Sequence, residues 1–142
     1  MPPSPRFLLD AGPLVAYFNP RDPYYAWARQ FLDPIEPPMT TCEPVLAEAY
    51  HLLAKYHDGI DLLSIYCASD VLQIDFRVLD HAAEIRELIR KYRNLPMDLA
   101  DGCLVLLAEQ HPQATIITTD RDFLLYRTRS RRQLRILAPF HA

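Results

Sequence analysis

The order of short apolar runs and longer helical stretches predicts an α/β fold with three layers around a central, largely parallel sheet. Strand-like and helix-like segments alternate along the chain, the arrangement that suits parallel strands joined by helical crossovers. The stretch from Asp98 to Glu109 has helical character but is apolar almost all round, so it belongs in the interior. Asp10 directly follows Phe7-Leu8-Leu9 and Asp120 follows Ile116-Ile117-Thr118-Thr119, which sets carboxylates at the ends of buried strands. The 142 residues are 50% hydrophobic and 23% charged, a balance that fits one compact domain over 1–142.

Phe7 to Leu9 reads as a strand ending at Asp10, and Gly12-Pro13 opens a short helix to Phe18, with Pro at a first-turn position. Asp22-Pro23 offers a cap and first residue for a second helix through Leu32, stopped by Asp33-Pro34 and Pro37-Pro38. Met39 to Thr41 is a brief strand. Thr41 is placed to cap a helix with Pro44 in its first turn, running to Tyr56 before Asp58-Gly59 breaks it, and another helix follows to Ser69. Val71 to Phe76 reads as a strand, and Val78 to Tyr92 as a helix whose apolar face is Ala82, Ile85, Leu88, Ile89 and Tyr92. After the interior helix, Ala114 to Thr119 is a β-branched buried strand, and Leu134 to Leu137 a weaker one. Arg127 to Arg132 reads as an exposed loop.

Composition narrows the chemistry. With glycine only at positions 12, 59 and 102, no Gly-x-Gly-x-x-Gly turn or phosphate-binding P-loop can be written. Cys42, Cys67 and Cys103 are odd in number and far apart, as expected of reduced core thiols in a cytoplasmic protein. No signal peptide and no membrane span are expected, since Asp10 and Pro13 interrupt the first apolar run. The net charge of −3 is unevenly spread: residues 121–135 carry +5 and the rest of the chain −8. Arginine outnumbers lysine 13 to 2, which favours forked contacts to phosphate.

The informative residues are acids among apolar neighbours. Besides Asp10 and Asp120, Glu48 lies on the stripe Val45, Glu48, Leu52 and is expected to face inward or along the core edge. Asp98 and Asp101 share one face of the first turn of the interior helix. Gly102 beside them suggests a group approaching that helix closely, because glycine inside a helix costs about 1 kcal/mol relative to alanine. Asp122 is either a sixth acid or a turn residue. If these acids converge, each pair 4 Å apart repels by about 4 kcal/mol at an effective dielectric near 20. Protonation or cations must relieve that repulsion, and oxygen ligands without His or Cys select Mg2+, with Mn2+ as a substitute.

Four segments, Phe7 to Ala16, Val45 to Ala49, Pro96 to Gly102 and Thr118 to Phe123, resemble the acidic motifs of PIN domains, in order and across essentially the whole chain. That family includes the VapC-type toxins of toxin-antitoxin pairs. The resemblance implies a three-layer α/β/α PIN-like fold and metal-dependent hydrolysis of single-stranded RNA, leaving a 5′-phosphate and a 3′-hydroxyl. It also implies a homodimer, which Tyr24, Tyr25, Trp27 and Phe31 on the second helix suit as an interface, and a possible cognate antitoxin. Asp10, Glu48, Asp101 and Asp120 match the family's metal-binding acids and are the expected catalytic set; Asp98 and Asp122 match positions acidic in only some members. Asp10 and Asp101 are expected to ligate metal directly, and Glu48 to hold a second ion or accept a proton from water. A hydroxyl residue often follows the first aspartate in that family, where this chain has Ala11-Gly12. Arg127, Arg129, Arg131 and Arg132 are expected to form an RNA-binding rim beside the acids. The competing reading is an RNA-binding or regulatory PIN-like module that cleaves weakly or not at all. A receiver-type phosphoacceptor domain ranks lower, because Lys55 and Lys91 both fall in helices rather than after a late strand.

Overall fold

The computed structural model describes residues 4–140. Five strands, β1 (Phe7–Leu9), β2 (Met39–Thr41), β3 (Leu72–Ile74), β4 (Thr115–Ile117) and β5 (Ile136–Leu137), form one sheet in the order β3-β2-β1-β4-β5. Every ladder is parallel, with Leu8 in register with Thr40 on one side and Ile116 on the other. The helices are α1 (Ala11–Phe18), α2 (Tyr25–Leu32), α3 (Glu43–Leu53), α4 (Gly59–Ala68), α5 (Ala82–Lys91) and α6 (Leu99–Gln110).

Alternation along the strands builds two cores. Leu8 and Ile116 point to the face covered by α5 and α6, while Leu9 and Ile117 point to the face covered by α1, α2 and α4. Helix α3 spans both, with Val45 in the first core and Ala49 and Leu53 in the second. The result is the three-layer arrangement expected from the sequence. Helix α6 is buried without interruption from Ala100 to Ala108. Each large aliphatic side chain buried there contributes about 1.5–3 kcal/mol, which outweighs the helical cost of Gly102. Leu104→Ala, at a site with no exposure, is expected to lower unfolding free energy by about 3 kcal/mol in urea titration.

Several element starts differ from expectation, each through a local bond. Thr41 does not cap α3: its hydroxyl donates to Leu9 O at 2.8 Å, tying β2 to β1, and Cys42 holds the cap position without a side-chain bond. Asp22 accepts from Tyr24 N at 2.8 Å in a turn, so α2 begins only at Tyr25. The helix expected from Val78 opens as a 3-10 turn over Val78–His81 before α5. Among the described residues no helix is long and apolar enough to cross a membrane.

Strand order sets where a site can form. From β1 the chain moves out through β2 to β3, then crosses by α5 and α6 to the other side of β1 to lay down β4 and β5. Connections therefore diverge between the carboxyl ends of β1 and β4, leaving the crevice where open α/β sheets place their ligands.

Candidate functional site

That crevice holds a cleft of about 460 Å³ lined by acids from four segments: Asp10, Glu48, Asp98, Asp101 and Asp120, with Gly12, Thr119 and Arg121. Asp10 continues β1, its backbone N–H donating to Ile117 O at 3.0 Å. Its carboxylate is fixed by the Ala11 N–H at 2.8 Å and the Thr118 hydroxyl at 2.6 Å. Burial raises its pKa to about 6 despite those two donors, with the negative charge of Glu48 and Asp120 adding to the shift. Thr118 also accepts from the Asp120 N–H at 3.0 Å, so one hydroxyl orients both strand-end acids.

Asp98 and Asp101 form a reciprocal capping box at the start of α6. Asp101 N–H donates to Asp98 Oδ1 at 2.9 Å, and Asp98 N–H donates to Asp101 Oδ2 at 3.3 Å. The buried Tyr126 hydroxyl donates to the same Asp101 oxygen at 3.2 Å. Burial, followed by the charges of Asp98, Asp10 and Asp120, lifts the Asp101 pKa to about 8. Capping and a place in the cleft thus coexist in the same two residues. Glu48 does not point into the core: it is exposed at the cleft wall, and partial desolvation with the nearby Asp98 and Asp120 raises its pKa. Asp122 does not line the cleft; its N–H donates to Asp120 Oδ1 at 2.9 Å in the turn after β4.

Gly102 has no close neighbour of the kind expected, since a Cβ there would find Met97 Sδ at an ordinary 3.7 Å. Gly12 is the crowded position instead: a Cβ would fall 2.0 Å from Thr119 Oγ1. The missing side chain of residue 12 is what lets the Thr119 hydroxyl sit against α1 at the cleft.

None of the four arginines expected at the rim lines the cleft. Arg129 grips Glu109 at 2.9 Å, Arg132 donates to Ala108 O at 3.0 Å, and Arg127 donates to Leu124 O and Tyr126 O at 2.9 and 3.0 Å. Glu109 and Ala108 stand at the carboxyl end of α6, roughly 10 Å along the helix from Asp101 at 1.5 Å per residue. Arg131 is exposed with φ 68°. The basic side chain that does line the cleft is Arg121, whose guanidinium lies 4.7 Å from the Phe140 ring centre. Sequence reasoning missed Arg121, Thr118 and Tyr126. For the first two the available signal was adjacency to Asp120; nothing in the local sequence linked Tyr126 to Asp101.

The donor set is oxygen-only and mutually repulsive, which fits a hard divalent cation. Among the described residues no three acids, histidines or cysteines already converge as a ready cage, because Asp10 and Asp101 turn oxygens toward Thr118 and Tyr126.

A parallel sheet with an acid-lined crevice at its switch point defines a class of α/β protein that gathers carboxylates at its strand ends. The PIN domain family profile matches residues 7–128, and the chain belongs to that family. In fold it is similar to Mycobacterium tuberculosis VapC20, described as a Sarcin-Ricin loop cleaving toxin, with TM-score 0.72 and 16% identity over 82% of this chain and 91% of that one. It is also similar to FitAcB from Neisseria gonorrhoeae, with TM-score 0.61 and 18% identity over 96% and 99% of the two chains. A third structure, FitAB bound to an IR36 DNA fragment, matches with TM-score 0.61 and 18% identity over 96% of each chain. No curated protein sequence matches the chain.

Proposed function

We propose that this chain is a Mg2+-dependent endoribonuclease that hydrolyses phosphodiester bonds of single-stranded RNA and acts in the cytoplasm as the toxin of a toxin-antitoxin pair, with Mn2+ able to replace Mg2+. The observation that carries this reading is the convergence of Asp10, Glu48, Asp98, Asp101 and Asp120 on one cleft at the sheet's switch point. Family membership and likeness in fold to a protein described as a Sarcin-Ricin loop cleaving toxin support it.

Asp10 and Asp101 would hold the metal, with Asp120 and Asp98 beside them and Asp122 contributing through the turn it shares with Asp120. The ion, when bound, would lower the pKa of water and stabilise charge on phosphate oxygens. Thr118 holds the Asp10 carboxyl and the backbone N–H of Asp120 in place, and Tyr126 holds the Asp101 carboxyl. Glu48, exposed and without a hydrogen-bond partner among the described residues, is free to take a proton from the attacking water. Arg121 faces the cleft as a fixed positive charge for the incoming phosphate. Of the four hairpin arginines, Arg131 presents its guanidinium to RNA, while Arg127, Arg129 and Arg132 chiefly brace the loop. Incubating the protein with mixed-sequence RNA in Mg2+ or EDTA and mapping the ends tests the reading: 5′-phosphate products only with metal are expected, and intact RNA at saturating Mg2+ would refute it.

The competing reading, an RNA-binding or regulatory module with little cleavage, draws on the lack of a preformed cage; RNA binding without metal-dependent products is its signature. The chain is further proposed to work as a homodimer. Tyr24 at the amino-terminal cap of α2 and Phe31 within it are 38% and 36% exposed, and Trp27 packs 5.5 Å from Phe31. Sedimentation is expected to give twice the 16.4 kDa chain mass at micromolar concentration; a monomer alone would exclude the dimer.

A further inference from the structure

The acid cleft is the first of three hollows joined end to end. It shares Glu48 and Asp98 with an open hollow of about 600 Å³ between the first turns of α3 and α6, whose apolar surface is Pro44, Ala47, Val78, Leu99 and Ala100. That hollow shares Glu43 and Val78 with a third, of about 520 Å³, in the segment after β3 that carries Arg77, Leu79 and His81.

We propose that this continuous trough is the track of the RNA strand on one side of the scissile phosphate, with a base seated in the middle hollow and the next phosphate at Arg77. The inference rests on the ribonuclease reading and adds a base-selective subsite to it. The middle hollow is lined by no cation, so it suits a base rather than a phosphate. Leu99, at the first position of α6 beside Asp98, is 40% exposed and gives the base an apolar surface. Glu43 and Glu48 on its wall have no hydrogen-bond or ion-pair partner among the described residues. As carboxylates they only accept hydrogen bonds, so the seat favours adenine, cytosine and guanine, whose exocyclic amino group donates there, over uracil, which offers only its ring N3–H.

The third hollow adds a cation, Arg77, beside the acids Glu43, Asp75 and Asp80. The Arg77 side chain is 72% exposed, and its ion pair with Asp80, at 3.4 Å, is a solvent-exposed one of small worth that a phosphate can displace. Leu79 beside it is 77% exposed, and the His81 ring stacks on Phe76 at 4.4 Å. Apolar surface and a displaceable cation, reached from the acids through one apolar seat, are what an unpaired strand needs for alternate base and phosphate contacts.

Three variants outside the acid set test the track: Ala47→Trp fills the middle hollow from an exposed position, Glu43→Gln keeps size while adding a donor, and Arg77→Gln removes the cation. Cleaved ends are sequenced, KM and kcat are measured against salt, binding of a short fluorescein-labelled RNA is followed by anisotropy, and bis(p-nitrophenyl) phosphate reports hydrolysis without the track. The native protein is expected to disfavour uridine at one position beside the cut. Glu43→Gln relaxes that exclusion and Ala47→Trp erases it, with KM and the anisotropy Kd raised about tenfold. Arg77→Gln weakens binding several-fold and lowers the log–log salt slope by about 1. All three leave bis(p-nitrophenyl) phosphate turnover and thermal midpoint unchanged. RNA cleavage with no positional base bias, or bias and salt slope untouched by the variants, overturns the track, leaves the ribonuclease reading intact and assigns the trough to a protein partner. Failure of the native protein to cleave either substrate overturns both.

Discussion

Asp101→Asn is expected to reduce Mg2+-dependent RNA cleavage by about 10³-fold, at the upper end of the loss seen when one electrostatic stabiliser of a transition state is removed. Asparagine keeps the size of the side chain and one acceptor oxygen, so the capping box with Asp98 and the contact from Tyr126 can share that oxygen and α6 need not shift. What disappears is an anionic oxygen at the most crowded point of the cleft, where Asp98, Asp10 and Asp120 all act on residue 101. Asp10→Asn should behave alike in activity yet make the metal-free protein more stable. With its pKa held at about 6 against 3.8 unfolded, ionised Asp10 costs the native state about 3 kcal/mol at neutral pH at 1.36 kcal/mol per unit. Single-turnover cleavage beside urea denaturation in EDTA reads both effects. Activity retained within tenfold in both variants would remove these acids from the chemistry.

In EDTA, stability should fall as pH rises from 5 to 9, and Mg2+ should restore it only at the alkaline end. Asp10 and Asp101 bind protons at about 6 and about 8 in the folded chain, whereas the unfolded carboxyls titrate near 3.8. The native state therefore holds more protons between these values. Its proton-linked stability is fully present below about pH 4 and is lost as pH climbs through 6 and then 8. A divalent ion replaces those protons, so its stabilisation is large at pH 8 and small at pH 5, where it competes with them. Thermal midpoints at both pH values, with and without saturating Mg2+, decide the matter. An equal rise at both, or no rise, would mean that the acids do not share a cation.

The sheet and its acids were legible in the sequence for a common reason. Strands such as Phe7 to Leu9 and Ala114 to Thr119 are buried on both faces, so they show as runs of apolar or β-branched residues, and an acid just after such a run stands at the sheet edge. Helix α6 was equally plain, because uninterrupted apolar character allows no exposed face. What stayed hidden depends on partners distant in sequence. Nothing near Gly12 announces Thr119, so the crowded glycine was sought at position 102 instead of position 12. The bracing of Arg127 and Arg132 stays hidden because their acceptors, Leu124 O, Tyr126 O and Ala108 O, are backbone groups with no residue signature, and that of Arg129 because Glu109 lies 20 residues away in sequence. For Glu48 the helical spacing leaves inward and core-edge placements both open, because it does not distinguish a stripe's centre from its rim; the structure puts it at the edge.

Helix α6 has a consequence for the order in which the molecule comes apart. It carries Asp101 at one end, anchors Arg129 and Arg132 at the other, and is wholly enclosed between Ala100 and Ala108. A segment so enclosed exchanges its amide hydrogens only through opening of the whole molecule, whereas α4, with Ile65 65% exposed, can open alone. Asp101 is thus mounted on the last part to let go. Hydrogen exchange should give Cys103 to Leu107 protection equal to the global unfolding free energy, and inactivation on heating should coincide with global melting rather than precede it.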